Sequence, residues 1–151
     1  MHQTKLIAGF PGVGKTWLSL SYQTGDILDL DSAQYSWASL GIRNPDFVTD
    51  YIEAIESNLG KYKLILISTH AEIRQALADK GIRYTLVYPS KDCKEVYMAS
   101  RYIGRDPKFI KLMDTKWDSF IESLGSNSDG NTVILSENQY LRDVLDLLEF
   151  M

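Results

Sequence analysis

A chain of 151 residues, 44% hydrophobic and 24% charged, has the composition of an ordinary soluble protein and can build one core, so a single domain over 1–151 is expected. Its net charge of −4 argues against a general nucleic-acid binder, which needs a basic face, and makes nucleic acid an unlikely partner. No apolar run reaches the length of a membrane span and no signal-peptide pattern precedes Leu6-Ile7-Ala8, so no membrane partner and a cytoplasmic location are expected. The lone Cys93 excludes an internal disulfide and a cysteine-based zinc site.

The first candidate strand, Lys5–Ala8, runs into Gly9-Phe10-Pro11-Gly12-Val13-Gly14-Lys15-Thr16, which satisfies G-x-x-x-x-G-K-[ST] at every position. Glycines let the backbone bend so that successive amides converge on an anion. The helix expected from Lys15 to Ser21 aims its positive end at the same point. ATP or GTP is therefore the expected ligand, held by Gly9, Pro11, Gly12, Val13, Gly14, Lys15, Thr16 and Trp17. Lys15 would reach the β and γ oxygens and the Thr16 hydroxyl would hold Mg²⁺.

The next strand, Asp26–Leu30, carries Asp29 and continues to Asp31, two positions on and therefore on the same side. Asp31 stands at the carboxyl end of the strand, where open α/β sheets form active sites. A second reading of Asp31 stands beside this one: with Ser32 it caps a short helix, Ala33–Leu40. Asn44-Pro45 then opens a helix whose apolar residues Phe47, Tyr51, Ile52, Ile55 and Leu59 recur until Gly60.

The strand Lys63–Ile67 is apolar throughout Leu64–Ile67, as a strand covered on both faces should be. A helix over Ala71–Lys80 ends at Gly81, and Tyr84–Tyr88 forms a fourth strand. Asp106-Pro107 starts a helix whose Ile110, Met113, Trp117, Phe120, Ile121 and Leu124 form a core stripe. The turn-rich Gly125–Asn131 leads to a fifth strand, Thr132–Leu135, and Tyr140, Leu141, Val144, Leu145 and Leu148 mark a last helix. Short apolar runs alternating with helices predict an α/β fold: three layers, with a five-stranded parallel sheet flanked by helices.

A phosphate loop between the first strand and helix, an acidic second strand end and a late arginine pair together resemble the P-loop kinases related to adenylate kinase, the small bacteriophage nucleotide kinases above all. The resemblance implies transfer of a phosphoryl group from ATP with Mg²⁺ to a nucleoside or deoxynucleoside monophosphate. It makes Asp29 and Asp31 candidate metal ligands with Thr16, and Asp31 a candidate catalytic and substrate-binding group as well. It implies an acceptor-binding segment at about 32–60 and a short lid at about 99–107. In the lid, Arg101 and Arg105 flank Gly104 as a hinge and close on the phosphoryl group, since the guanidinium fork suits phosphate; the plainer reading is a solvated helix end. Arg74, one turn into its helix, resembles the arginine that holds the acceptor phosphate, with Arg43 and His70 as further substrate contacts.

The chain departs from the pattern where a Walker B strand ends in an acid: Ile67 is followed by Ser68-Thr69-His70. Between Lys15 and Lys61 only Arg43 is basic, so this stretch suits a small acceptor better than a line of phosphates. Two other functions remain open on the residues alone. One is a P-loop kinase of a nucleoside, small metabolite or nucleic-acid 5′ end; the other is a nucleotide-binding module without catalysis.

Overall fold

Leu64–Ile67 lies where its unbroken apolarity places it, hydrogen-bonded on both edges inside a parallel sheet. The computed structural model describes residues 4–21, 26–30, 37–39, 42–43, 45–126 and 131–144, with the side chains of 19–21, 37–39 and 42–43 left aside. In chain order the strands are β1 (Lys5–Gly9), β2 (Ile27–Asp29), β3 (Trp37–Ser39), β4 (Ile42–Arg43), β5 (Leu64–Ile67), β6 (Thr85–Pro89) and β7 (Asn131–Leu135). The helices are α1 (Lys15–Ser21), α2 (Phe47–Asn58), α3 (Ala71–Asp79), the single turn α4 (Lys94–Val96) and α5 (Pro107–Gly125).

The main sheet has five strands in the order β2-β5-β1-β6-β7, and every pairing is parallel. Ala8 stands opposite Ile67 on one side, and Gly9 stands opposite Val87 on the other. This order sets the carboxyl ends of β2, β5 and β1 side by side. The phosphate loop, Asp29 and Ser68 therefore emerge at one edge of the sheet, where open parallel sheets place their sites. The five expected strands and the α/β class agree with the structure.

Several boundaries differ, each for a local reason. The expected helix Ala33–Leu40 is not formed at Trp37–Ser39, which is strand β3 and pairs antiparallel with β4, Trp37 opposite Arg43. Two sequence positions separate the paired strands, a spacing that favours a hairpin over a continuous helix. Helix α2 starts at Phe47 rather than at Asn44-Pro45, because Pro45 and Asp46 form a turn and Asp46 takes the N-cap position. Asp106 caps α5 as its sequence implies, accepting from the Lys108 amide at 2.8 Å. Of the last expected helix the structure describes a 3-10 turn, Leu141–Val144, and Leu145 and Leu148 lie outside the described residues.

The core stripe of α5 reaches the functional edge. Trp117 is fully buried, with its ring edge-to-face with Phe10 of the phosphate loop at 5.4 Å and with Tyr97 at 5.5 Å. Its indole N–H donates to the Lys91 carbonyl at 3.0 Å. Trp117→Ala is expected to cost about 3–5 kcal/mol, the range for deleting a large buried aromatic ring, read as a lowered midpoint in urea unfolding.

Candidate functional site: a phosphate loop braced from behind

Gly12 and Gly14 adopt φ of 93° and 99°, left-handed values that bend the loop and that side-chain-bearing residues rarely tolerate. A methyl group at Gly12 would also stand 3.0 Å from the Tyr102 ring. Val13 turns its side chain into the core and its N–H onto the Phe10 carbonyl at 3.2 Å, so of the expected ligand-binding loop residues it is the one facing inward. The Lys15 ammonium lies across the loop, 2.6 Å from the Gly9 carbonyl and 3.5 Å from the Ile67 carbonyl at the end of β5.

The Thr16 hydroxyl donates to the Asp29 carboxylate at 3.0 Å. A hydroxyl and a carboxylate oxygen set together at a phosphate loop are the hard donors that Mg²⁺ prefers, so the pair fits the metal expected from the sequence. Among the described residues no cluster of three or more His, Cys, Asp or Glu forms a self-sufficient metal cage. A Mg²⁺ ion here would share its shell between this pair, water and nucleotide phosphates.

The end of β5 holds no acid but is not unstructured. Ser68 Oγ is 2.8 Å from His70 Nδ1, and the Ser68 amide donates to the Tyr51 hydroxyl at 3.2 Å. That hydroxyl donates in turn to the Leu30 carbonyl at 2.6 Å. Tyr51, fully buried on α2, thereby fixes the spacing between the end of β5 and the acidic end of β2.

Behind the loop, the segment after β6 supplies the brace. It runs through a π-helical turn, Tyr97–Arg101, an arrangement often found at functional positions. Arg101 donates to the Gly12 carbonyl at 3.0 Å, the Tyr97 hydroxyl at 2.8 Å, the Glu137 carbonyl at 3.0 Å and the Gln139 carbonyl at 2.7 Å. Its guanidinium also lies 4.2 Å from the ring centre of Tyr97 and 3.8 Å from that of Tyr140. Tyr102 adds a bond to the Pro11 carbonyl at 2.9 Å. Burial pushes the Tyr97 and Tyr102 phenols well above their ordinary range, so both keep their protons at physiological pH.

Arg105 sits beyond Gly104, whose φ is 84°, with its guanidinium 5.0 Å from the Phe109 ring centre. Arg74 is buried, donating from Nε to the Thr69 carbonyl at 3.0 Å and toward Ser123 Oγ on α5 at 3.4 Å. Lys15, Thr16, Asp29, His70, Arg74, Arg101 and Arg105 all line one cavity of about 1250 Å³. Half-exposed Trp17 lines it too and stacks under Arg142, 4.8 Å from its ring centre. Asp31 lies outside the described residues, and for Arg43 the backbone in β4 is what the structure describes.

Sequence reasoning missed Tyr51, Tyr97, Tyr102 and Ser123. The Tyr97–Arg101 spacing of one helical turn was a usable signal. The bonds from Arg101 to Gly12 and from Tyr51 to Leu30 span distant parts of the chain and leave no local pattern.

No protein-family model matches the chain, and no curated protein matches its sequence. Solved structures do match its fold. A gluconokinase from Sinorhizobium meliloti superposes with a TM-score of 0.56 at 14% identity, over 97% of this chain and 90% of that one. An uncharacterized protein from Eubacterium ventriosum superposes at 0.50 with 12% identity, over 97% and 96%. The fold is that of a P-loop kinase-like α/β protein, a five-stranded parallel sheet flanked by helices. No helix among the described residues is long and apolar enough to cross a membrane.

Two substitutions test the brace. Tyr102→Phe removes one bond to the loop and should weaken ATP binding by about three- to tenfold with the fold retained, measured by calorimetric titration. Arg101→Lys keeps the charge but loses the four-acceptor fork. It should lower both the unfolding midpoint and the ATP affinity, whereas an arginine merely solvating a helix end would leave both unchanged.

Proposed function

We propose that the protein transfers the γ-phosphoryl group of ATP to a nucleoside or deoxynucleoside monophosphate. The observation that carries this reading is a second cationic group on the cavity of the phosphate loop: the buried guanidinium of Arg74. A module that only binds nucleotide needs the loop and has no use for a buried arginine beside it. A kinase must hold two phosphate-bearing molecules in line, and that positioning is most of its catalysis.

In this reading the loop amides and Lys15 hold the β and γ phosphates, with Trp17 at the rim of the same site. Thr16 and Asp29 hold Mg²⁺, with Asp31 next along the chain as a further ligand. When bound, the metal would neutralise charge on the nucleotide phosphates. Arg74 holds the acceptor phosphate, and Arg43, His70 and Asp31 are assigned to the rest of the acceptor. Arg105 brings charge to the moving phosphoryl group across the Gly104 hinge, and Arg101 does so from a position tied to Gly12. An ionised acceptor phosphate needs no general base, which is consistent with a neutral Ser68 where other P-loop enzymes carry an acid.

The fold of the Sinorhizobium gluconokinase supports a second reading, a kinase whose acceptor is a small hydroxylated metabolite. Labelled ATP offered with the common ribo- and deoxyribonucleoside monophosphates, gluconate and a 5′-hydroxyl oligonucleotide separates the two. Label in a monophosphate is the expected result; label in gluconate alone selects the second reading, and ATP binding without any transfer selects a binding module.

Two variants examine the roles. Lys15→Ala should nearly abolish transfer and leave the fold intact, checked by circular dichroism. Asp29→Asn should lower kcat at least about tenfold and shift the Mg²⁺ dependence to higher concentration, the mark of a lost metal-holding charge.

A further inference from the structure

Resting on the kinase reading above, we propose that helix α5, the helix after the lid, is the wall on which the acceptor's ring stacks. Ser123 on the same helix positions Arg74 for the acceptor's phosphate.

Three observations carry this. First, residues 45–60, one described part of the segment expected to bind the acceptor, contribute no lining to the cavity. The α2 side chains Phe47, Tyr51, Ile52 and Ile55 are buried in the core instead. Second, α5 does line the cavity, and with a selected set of residues. Phe109, Leu112, Phe120, Ser119 and Ser123 face it, together with buried Met113. None of the charged residues of α5, which include Lys108, Lys111, Asp114, Lys116, Asp118 and Glu122, does so. Leu112 remains 47% exposed, an apolar surface that the fold itself leaves uncovered. Third, Arg74 reaches from α3 to Ser123 on this same face, so the guanidinium and the apolar wall are adjacent.

The chemistry of the wall separates acceptor classes. A polyhydroxy acid carries more hydroxyls than Ser119 and Ser123 can partner, and the rest would lose water against Phe109, Leu112 and Phe120. A flat heteroaromatic ring buries its faces there without that loss and keeps polar edges for Ser119 and Ser123. The acceptor is accordingly a ring-bearing monophosphate, its base against α5 and its phosphate at Arg74. Ser123 is a positioning residue: it acts through the arginine it orients.

The test is steady-state kinetics with ATP and the best monophosphate from the acceptor panel, for the whole chain and for Phe120→Ala, Leu112→Ser, Ser123→Ala and Ser123→Thr. Phe120→Ala should raise the acceptor KM about tenfold or more, the scale for losing a buried ring contact, with the ATP KM changed less than about twofold. Leu112→Ser should raise it in the same sense by about threefold, and because Leu112 is half exposed this variant decides the matter if Phe120→Ala does not fold. Ser123→Ala should raise the acceptor KM with the ATP KM steady, and Ser123→Thr, which keeps the hydroxyl, should restore it. Acceptor KM values unchanged in the folded variants overturn the α5 seat while leaving the kinase reading intact. Phosphorylation of gluconate in preference to every monophosphate overturns it as well. A wild-type chain that fails to bind ATP at all sinks the kinase reading itself.

Discussion

The bond from Arg101 to the Gly12 carbonyl is the constraint on which the site's geometry rests. A phosphate loop can bind only if its amides point inward, and a loop whose amides point inward must turn carbonyls outward. Those carbonyls need donors, because an unpaired backbone acceptor in a partly buried position costs free energy. Arg101 serves Gly12 and Tyr102 serves Pro11. The Leu141 amide serves Val13 at 2.8 Å. Three consecutive loop carbonyls are thus held from behind by residues 89 or more positions later in the chain. Because the same guanidinium holds the Glu137 and Gln139 carbonyls, the loop after β7 is coupled to the phosphate loop through a single side chain.

That coupling shows where sequence reading succeeds and where it stops. The loop motif and the five strands are local patterns, in which a turn needs glycine and a doubly covered strand needs unbroken apolarity. Each was legible because the physical demand falls on neighbouring residues. Trp37–Ser39 was misread because a three-residue strand has no period to measure, and the pairing that fixes it comes from Ile42–Arg43 across a two-residue link. The engagement of Arg101 was beyond reach for another reason. Its acceptors are backbone carbonyls, which every residue carries, so nothing in the sequence marks Gly12, Glu137 or Gln139 as its partners.

The absent acid at the end of β5 has a structural counterpart in Tyr51. In place of a carboxylate, the strand end offers an amide to the tyrosine hydroxyl, and that hydroxyl grips the Leu30 carbonyl. The arrangement locks the ends of β2 and β5 together without charge. Negative charge is then supplied from the neighbouring strand, by Asp29 against Thr16. Parallel pairing makes this substitution geometrically cheap, because Asp29 stands opposite Leu66, two residues before Ser68.

A strand end without an acid also shapes the field in the cavity. Its described lining carries four cations, Lys15, Arg74, Arg101 and Arg105, against two carboxylates, Asp29 and Glu72. The chain as a whole is at −4, so the cavity is a positive basin in an acidic protein. Such a contrast favours a small anion inside the cavity. Three of the four cations are bound into the framework, Lys15 at the Gly9 and Ile67 carbonyls, Arg101 at the loop and Arg74 at Thr69 and α5, and hold their charge in place before any ligand arrives. Charge fixed in advance is what phosphoryl transfer uses, because a dipole or guanidinium that need not reorient loses nothing when the phosphoryl group moves.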